Sequence, residues 1–288
     1  MMQLELYRSL WASPGRSAAQ IAEEAAAEGF TGLEGGLPAD PAERAELARA
    51  LEAHGLSYIG EICTGGAGPA WWVPPRHASV ADHLATFEAA LAAFDDFPVQ
   101  PGFVNCMGGL DAWPLHEALS FFEGALDIAR RYGRTVVFET HRTRCLYAPW
   151  ASVPILEALP ELLITCDFSH WVVVAERLID EEADALALAA RHAHHVQCRV
   201  GYPQGPQVPH PAAPEYADCL AAHQRWWEAV WTAQHARGYT RTTLTPEFGP
   251  DRYLHTLPFT DQPVADLWDI ARWMARTERA HFAGWARA

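Results

Sequence analysis

The sequence predicts an α/β protein that forms a single (β/α)8 TIM barrel. Three observations lead to this fold class. Eight short apolar segments alternate strictly with helical segments, and such alternation is typical of a parallel sheet. Eight units are the number that closes a barrel, and 288 residues are an ordinary length for one. We therefore expect one domain over residues 1–288, with the barrel at about 4–250 and a C-terminal extension at 251–288.

The first half of the chain contains four strand–helix units, with boundaries set by caps and glycines. Ser17 can cap a helix rich in alanine and glutamate, and Gly29 ends that helix. After the first strand, Ser13-Pro-Gly-Arg16 is not the glycine fingerprint of a nucleotide-binding open sheet. We place strands at 4–11, 30–33, 56–62 and 102–107, and helices at 18–28, 41–54, 80–94 and 116–132.

The second half repeats the pattern and adds one long proline-rich loop at 202–214. This loop could be a rigid connector. A loop of its length at a barrel mouth more often covers the site or touches a partner subunit, and we favour that interpretation. We place strands at 135–139, 162–167, 196–200 and 241–247, and helices at 153–159, 183–194, 216–237 and 264–288.

Composition excludes several classes of function. The formal net charge of −15 repels phosphate backbones and anionic lipid, so we expect neither nucleic acid nor membrane as a partner. All 21 basic residues are arginine, which excludes a lysine Schiff base and a P-loop lysine. The six cysteines form no C-x-x-C pair, the given sequence does not open with a positively charged start and an apolar h-region, and it contains no 18-residue apolar run, so we expect a reduced, cytoplasmic protein.

Three predicted strands of the second half end in a side chain that can ligate a metal through oxygen, and the strand at 196–200 carries a fourth such side chain. In a barrel of this kind, active residues lie at the C-terminal ends of the strands, so we expect these groups to converge. Carboxylate and amide oxygens make a hard site that favours Mn²⁺ or Mg²⁺, although Co²⁺ or Zn²⁺ could also bind. The predicted ligands are Glu139, Asp167, Gln197 and Glu247.

The same strand ends carry groups for catalysis and substrate binding. A divalent ion there could polarise a carbonyl as a Lewis acid, which makes the neighbouring carbon acidic. We assign Glu139 and Glu247 as the catalytic pair that removes and returns the proton. Each carboxylate taken alone could instead be a structural partner of an arginine, and His170 could be a fifth metal ligand. The predicted substrate-binding residues are His141, Arg142, His170 and Arg199.

Other polar and aromatic residues are weaker candidates. Glu34 and Glu61 lie at earlier strand ends and could reach the pocket. The histidines at 192, 194 and 195 resemble a metal cluster, but we place them at a helix end, where cationic side chains favour the helix dipole. Six tryptophans lie in or just past strand ends, and we expect two or three of them to line the pocket: Trp11, Trp71, Trp72, Trp113, Trp150 and Trp171.

Four segments resemble the xylose isomerase-like TIM-barrel superfamily, in particular a bacterial subgroup described as sugar phosphate isomerase/epimerase. The resemblance covers nearly the whole chain, and its second half is the specific part. In ketose 3-epimerases of this superfamily, Glu, Asp, His and Glu hold the metal, which implies ligands at 139, 167, 197 and 247. Gln197 stands where histidine is usual. The segments are Phe138-Glu-Thr-His-Arg142, Asp167-Phe-Ser-His-Trp171, 199–208 and Thr245-Pro-Glu-Phe-Gly-Pro250.

Three functional hypotheses follow. The first is a metal-dependent isomerase or epimerase that acts on a small carbohydrate by proton transfer next to a carbonyl. The second is a lyase or hydrolase of keto-sugars on the same barrel. The third is a non-catalytic ligand-binding barrel, motivated by Gln197. A DNA-repair nuclease is the least favoured because the chain is strongly acidic. The protein could also form a homo-oligomer.

Overall fold

A computed structural model describes residues 2–66 and 73–287, and it confirms the predicted (β/α)8 TIM barrel. Eight parallel strands pair in sequence order, and β8 closes the barrel by pairing with β1. The strands are β1 (Gln3–Ser9), β2 (Gly32–Gly35), β3 (Ser57–Cys63), β4 (Val104–Met107), β5 (Val136–Glu139), β6 (Ile164–Cys166), β7 (Ala193–Gln197) and β8 (Arg241–Thr245).

Helices surround the barrel, and their ends follow local capping chemistry. Ser17 forms a capping box with Gln20 at the start of α1, and Gly55 ends α2 at a φ of 62°. The helices are α1 (Ala18–Ala27), α2 (Pro41–His54), α3 (Val80–Ala92), α4 (Leu115–Arg131), α5 (Pro149–Ala158), α6 (Phe168–Ala175), α7 (Ala183–His192), α8 (Ala217–Ala236) and α9 (Leu267–Trp285), with a 3₁₀ turn at Pro214–Tyr216.

Several stretches of the second half differ from the sequence prediction, and α5 begins at Pro149 rather than at 153. The short helix α6 follows β6 directly and was not predicted, because the apolar run from residue 168 gives no clear period. Strand β7 begins at Ala193 rather than at 196, because the backbone at Ala193 is already extended. The placement of His194 and His195 at a helix end was therefore wrong, since both lie in β7.

The barrel interior changes from apolar to polar along its axis. Tyr7, Ile59, Phe103 and Val137 pack together inside the barrel and close its lower end. Further towards the C-terminal ends of the strands, the interior residues are carboxylates, amides, threonines and a histidine. The second, larger apolar core lies between the strands and the helices. A polar interior at one end only is the arrangement expected of a barrel whose site lies at that end.

Helix α9 completes the outer ring of helices. The guanidinium of Arg8 on β1 lies 3.7 Å from the ring centroid of Trp268, and Arg276 pairs with Glu28 at 2.9 Å. Within the predicted C-terminal extension, Leu267–Trp285 thus packs on the barrel as the helix of the eighth unit. None of the helices in residues 2–66 and 73–287 combines the length and apolarity that are needed to cross a membrane.

Candidate active site

The structure brings the predicted metal ligands together at the C-terminal mouth of the barrel. Glu139 ends β5, Asp167 caps α6, and Glu247 follows β8 by two residues. All three side chains are buried, and each offers one oxygen that lies within 4.8 Å of the others. Residues more than 100 positions apart in sequence thus lie within one small volume, as expected for side chains at the C-terminal ends of barrel strands.

Asp167 is fixed in place by its local backbone. The hydroxyl of Thr140 accepts from the backbone N–H of Asp167 at 2.8 Å and donates to its carbonyl at 3.0 Å. The Asp167 carboxylate accepts from the backbone N–H of Ser169 at 3.0 Å, as a helix N-cap does. These contacts join the loops after β5 and β6 and fix the direction of the carboxylate.

Gln197 ends β7 beside the three carboxylates. Its amide nitrogen donates to Glu247 Oε1 at 3.2 Å and to Glu34 Oε1 at 3.3 Å. Its Oε1 atom is buried and has no hydrogen-bond partner among the described residues. An unpartnered buried carbonyl oxygen beside three carboxylates fits a metal ligand or an acceptor for a substrate hydroxyl.

Two histidines lie on one side of this cluster. The rings of His141 and His170 have centroids 4.0 Å apart, and with Glu139 they form a second group whose ligand atoms lie within 4.8 Å of one another. Burial, and then the nearby positive charges, lower the pKa of both rings well below the usual value. Both are therefore neutral at neutral pH and can ligate a metal or contact substrate.

Arg199 lies inside the acid cluster, and Arg142 lies at its edge. The Nη2 atom of Arg199 contacts Asp167 Oδ2, and it lies 2.9 Å from Glu247 Oε2 and 3.1 Å from His170 Nε2. Its Nη1 atom is buried without a partner among the described residues. Arg142 is half-buried, with its guanidinium 4.8 Å from the ring centroid of Tyr253.

Three carboxyl groups of the site, those of Glu61, Glu139 and Glu247, resist ionisation. Burial raises the pKa of Glu61 and of Glu139 well above the usual range, and neighbouring carboxylates add to the rise. Burial also raises the pKa of Glu247 to about 8, although the charge of Arg199 opposes the shift. If these groups all ionised, their negative charge would exceed what Arg199 neutralises, so a further cation would favour their ionised forms and bind there.

A pocket with about 300 Å³ of empty space opens beside the cluster. Glu61, one of the weaker candidates, lines it, whereas Glu34 lies deeper and contacts His195 at 3.3 Å. Tyr253, from the loop after β8, was not predicted, because an aromatic residue in a loop gives no periodic signal. The pocket is lined by Trp11, Glu61, Met107, Glu139, His141, Arg199, Glu247 and Tyr253.

Of the candidate tryptophans in the described residues, Trp11 lines this pocket. Trp171 is instead a core residue, and its indole N–H donates to the carbonyl of Leu146 at 2.9 Å. Trp113 packs edge-on against His83, and Trp150 is 49% exposed at the start of α5. Trp71 and Trp72 lie outside the described residues.

The loop at 202–214 braces the mouth of the barrel. Gln207 is buried, accepts from the backbone N–H of Gly249 at 2.8 Å and donates to the Gly249 carbonyl at 3.4 Å. Gly249 in turn packs against the indole of Trp11, and Tyr202 lies 3.4 Å from His255. The loop thus holds the segment that carries Glu247 and Tyr253.

Comparison with known proteins identifies the family. A family model described as the xylose isomerase-like TIM barrel matches residues 22–215. The chain belongs to this family. The resemblance expected from the strand-end segments is thereby confirmed. No match was found among the curated proteins.

Solved structures with this fold include several different enzymes. Endonuclease IV from Thermus thermophilus is 16% identical with a TM-score of 0.55, and the match covers 97% of this chain and 99% of that chain. The apo form of the 3-keto-D-glucoside 4-epimerase YcjR from E. coli is 13% identical with a TM-score of 0.55, covering 100% of both chains. The probable 3-DHS dehydratase AsbF from Bacillus anthracis is 12% identical with a TM-score of 0.57, covering 97% and 99%.

These similarities establish the fold and leave the reaction open. An epimerase, a probable dehydratase and an endonuclease share the barrel, so the reaction depends on the side chains at its mouth and not on the fold. The sequence analysis did not identify Asn105 and Tyr253 at this mouth, and it placed His195 at a helix end instead. Asn105 ends no obvious motif, yet its amide nitrogen donates to Glu139 Oε2 at 3.1 Å.

Proposed function

We propose that the protein is a divalent-metal-dependent isomerase or epimerase that acts on a small sugar or sugar derivative by proton transfer next to a carbonyl. One observation carries this proposal. Glu139, Asp167 and Glu247 offer carboxylate oxygens within 4.8 Å of one another, and two of these residues also line the adjoining pocket. A metal centre and a pair of proton-transfer groups therefore share one wall.

The residues present fit a divalent cation. Glu139, Asp167 and Glu247 would hold it, and the unpartnered Oε1 of Gln197 supplies a fourth oxygen. When bound, the ion would act as a Lewis acid on a carbonyl or vicinal hydroxyls of the substrate. Oxygen ligands favour Mn²⁺ or Mg²⁺, while the neutral His170 beside them would make Co²⁺ or Zn²⁺ acceptable.

The two glutamates suit acid–base work near neutral pH. In the metal-free protein, burial raises the pKa of Glu247 to about 8 and that of Glu139 well above its usual range, and a bound cation would lower both. Their mutual repulsion disfavours ionisation of both, so one can carry a proton while the other accepts one. The pair can then remove a proton from a carbon next to the carbonyl and return one to it.

The other pocket residues would bind and enclose the substrate. Arg199 Nη1 is a buried donor without a partner in the described part of the chain, and it suits an oxygen that gains negative charge. His141 also lines the pocket and stays neutral. Trp11 and Tyr253 meet edge to face at 5.2 Å between ring centroids, and their faces can stack on a sugar ring and exclude water.

The first test measures metal content and hydrogen exchange in one series. The purified protein should bind one Mn²⁺ per chain, and Glu139→Gln and Glu247→Gln should each weaken that binding. With a panel of keto-sugars in D₂O, the wild type should place deuterium in recovered substrate and product, and both variants should lose at least about a hundredfold in exchange rate. Glu157→Gln, an exposed glutamate of α5, is the matched control and should behave as the wild type.

The same experiment separates the alternatives. Exchange without loss of water indicates an isomerase or epimerase, whereas formation of a dehydrated product indicates a lyase. Stoichiometric metal without turnover or exchange on any sugar would indicate a binding barrel. If neither variant changes metal content or exchange on an active substrate, the proposed roles of Glu139 and Glu247 are refuted.

A further inference from the structure

The guanidinium of Arg199 lies where a cation would be expected in the acid cluster. Its Nη2 atom contacts Asp167 Oδ2 and lies 2.9 Å from Glu247 Oε2 and 3.1 Å from His170 Nε2. Its Nε atom also donates to Asp167 Oδ2, at 3.1 Å. One nitrogen thus lies among two carboxylate oxygens and an imidazole nitrogen, all of which are potential metal ligands.

A divalent ion held by the same carboxylate oxygens could not share this position with the guanidinium. An ion bound to carboxylates lies about 2.0–2.6 Å from each oxygen, inside the volume that Nη2 fills. The other oxygens of these carboxylates already accept hydrogen bonds, Asp167 Oδ1 from the Ser169 N–H at 3.0 Å and Glu247 Oε1 from Gln197 at 3.2 Å.

We propose that Arg199 and the divalent ion are alternative occupants of this cluster, so that metal binding displaces the arginine from Asp167 and Glu247. This inference rests on the proposed metal site. In the absence of metal, Arg199 supplies the counter-charge that keeps two buried carboxylates compatible with folding. On metal binding, the guanidinium is released to contact substrate from the pocket that it already lines.

The surroundings of Arg199 offer a place for the released side chain. Its guanidinium carbon lies 4.8 Å from the ring centroid of Tyr253 and 5.8 Å from that of Trp11. Aromatic faces at these distances stabilise a guanidinium that has lost its carboxylate partners. A substrate oxygen could then complete the hydrogen bonding of Nη1, which has no partner among residues 2–66 and 73–287. Displacement of Arg199 by the metal ion would therefore couple metal binding to substrate binding.

The decisive measurement is the affinity for Mn²⁺ alone, by isothermal titration calorimetry at one neutral pH. Arg199→Met removes the competing cation and keeps an unbranched apolar stem. We expect it to bind Mn²⁺ at least about tenfold more tightly than the wild type, a change of about 1.4 kcal/mol. The matched control is Arg8→Met, because Arg8 is also buried, paired with Glu24 at 2.8 Å and stacked on Trp268, but lies away from the mouth. Its Mn²⁺ affinity should equal that of the wild type.

Thermal unfolding provides a second readout that does not depend on activity. Without metal, Arg199→Met should unfold at a lower temperature than the wild type, because Asp167 and Glu247 lose their counter-charge. Excess Mn²⁺ should raise the unfolding temperature of the variant more than that of the wild type, in line with its tighter binding. Should Arg199→Met fail to fold without metal, Arg199→Lys, which lacks the planar fork, is expected to show an intermediate gain in affinity.

The outcomes separate this inference from the proposed function. If the wild type binds Mn²⁺ and the Arg199 variants bind it equally or more weakly, the arginine supports the metal ligands and the exchange is refuted, while the metal site stands. If neither the wild type nor the variants bind Mn²⁺, the metal site itself is refuted, and the exchange with it.

Discussion

Two polar clusters of this protein, each of which contains at least one buried carboxyl group, differ in how their charges are balanced. The mouth cluster consists of Glu61, Glu139, Asp167, Glu247 and Arg199, and in it carboxylates outnumber the cation. Arg199 Nη1 and the nearby Gln197 Oε1 have no partner among the described residues. Here the carboxyl groups lack enough counter-charge to ionise together, and Arg199 lines a pocket.

The helix-pair cluster lies between α8 and α9 and consists of Gln224, Glu228, Glu278 and His281. Buried Glu278 accepts from the amide of Gln224 at 2.8 Å and contacts His281 Nδ1 at 3.1 Å. The other ring nitrogen of His281 lies 2.7 Å from Glu228. Both oxygens of the buried carboxylate thus have partners, as is usual for a cluster that only holds two helices together.

The difference between the two clusters distinguishes buried charges that serve a function from those that only stabilise the fold. A structural cluster satisfies its own groups, whereas an active site keeps unbalanced charge and unpartnered atoms for a ligand. Removal of a carboxylate should therefore have opposite effects on stability in the two clusters.

The largest expected effect comes from removing one buried carboxylate in each cluster of the metal-free protein. Glu278→Gln should lower the free energy of unfolding by about 2–4 kcal/mol, because His281 loses a charged partner. Glu61→Gln should raise it by about 1–2 kcal/mol, because glutamine replaces a carboxyl whose ionised form is disfavoured by burial and then by the charges of Glu247 and Glu34. Chemical denaturation measures both values.

The pH dependence of the Glu61 effect follows from its raised pKa. Above the pKa of the unfolded chain, near 4.5, the unfolded state loses a proton that the folded state keeps, so stability falls as pH rises. The gain from Glu61→Gln should thus be larger at about pH 8 than at about pH 5. If Glu61→Gln and Glu278→Gln change the free energy of unfolding in the same direction, the distinction between the two clusters is refuted.

An added methyl group should be tolerated within helix α9 but should destabilise the protein at the mouth of the barrel. A Cβ at Gly249 would lie 2.0 Å from the ring of Trp11, so Gly249→Ala should cost about 1–3 kcal/mol and displace the indole. A Cβ at Gly284 in α9 meets nothing within 4 Å, so Gly284→Ala should be neutral or stabilising by up to about 1 kcal/mol. Denaturant midpoints measure the stabilities, and a crystal structure of Gly249→Ala locates Trp11. Equal stability of the two variants would mean that the mouth is not tightly packed.

The smallest expected effect is a pH-dependent contribution from His281. Burial would lower its pKa, but hydrogen bonds to Glu278 and Glu228 outweigh burial and raise it. Because the folded pKa is the higher one, the stabilisation is fully present below the unfolded value near 6.5 and is lost as pH rises through the folded value. At this half-buried, partly screened position we expect about 0.5–1 kcal/mol, seen as a loss in His281→Gln at about pH 5.5 that shrinks by about pH 8.5. If the loss of stability in His281→Gln is constant or grows with pH, it arises from packing and not from the charge of His281.

Parts of the barrel could be predicted because local signals agreed. The helix at Pro41–His54 has a capping Asp40, a proline in its first turn and Gly55 at its end, and its observed bounds equal the predicted ones. The placement of Glu139, Asp167 and Glu247 followed from a general rule, since parallel strands of a barrel present their C-terminal ends on one face. Side-chain roles at that face remain predictions until the variants are measured.

Other features could not be predicted because no local signal specifies them. The run at 193–197 reads equally well as a helix end or a strand, and only its pairing with β6 and β8 makes it β7 and places His195 against Glu34. Tyr253 reaches the pocket because Gln207 holds the backbone at Gly249, a contact 42 residues apart in sequence.

The sequence by itself determined the alternation of eight units, the caps of the helices and the excess of acid at the strand ends, because each depends on the order of neighbouring residues. Only the tertiary structure decided that Arg199 lies among Asp167, Glu247 and His170. Closure of the barrel, with its fixed strand register, brings distant side chains to within hydrogen-bond distance, and that distance is not encoded in any one segment.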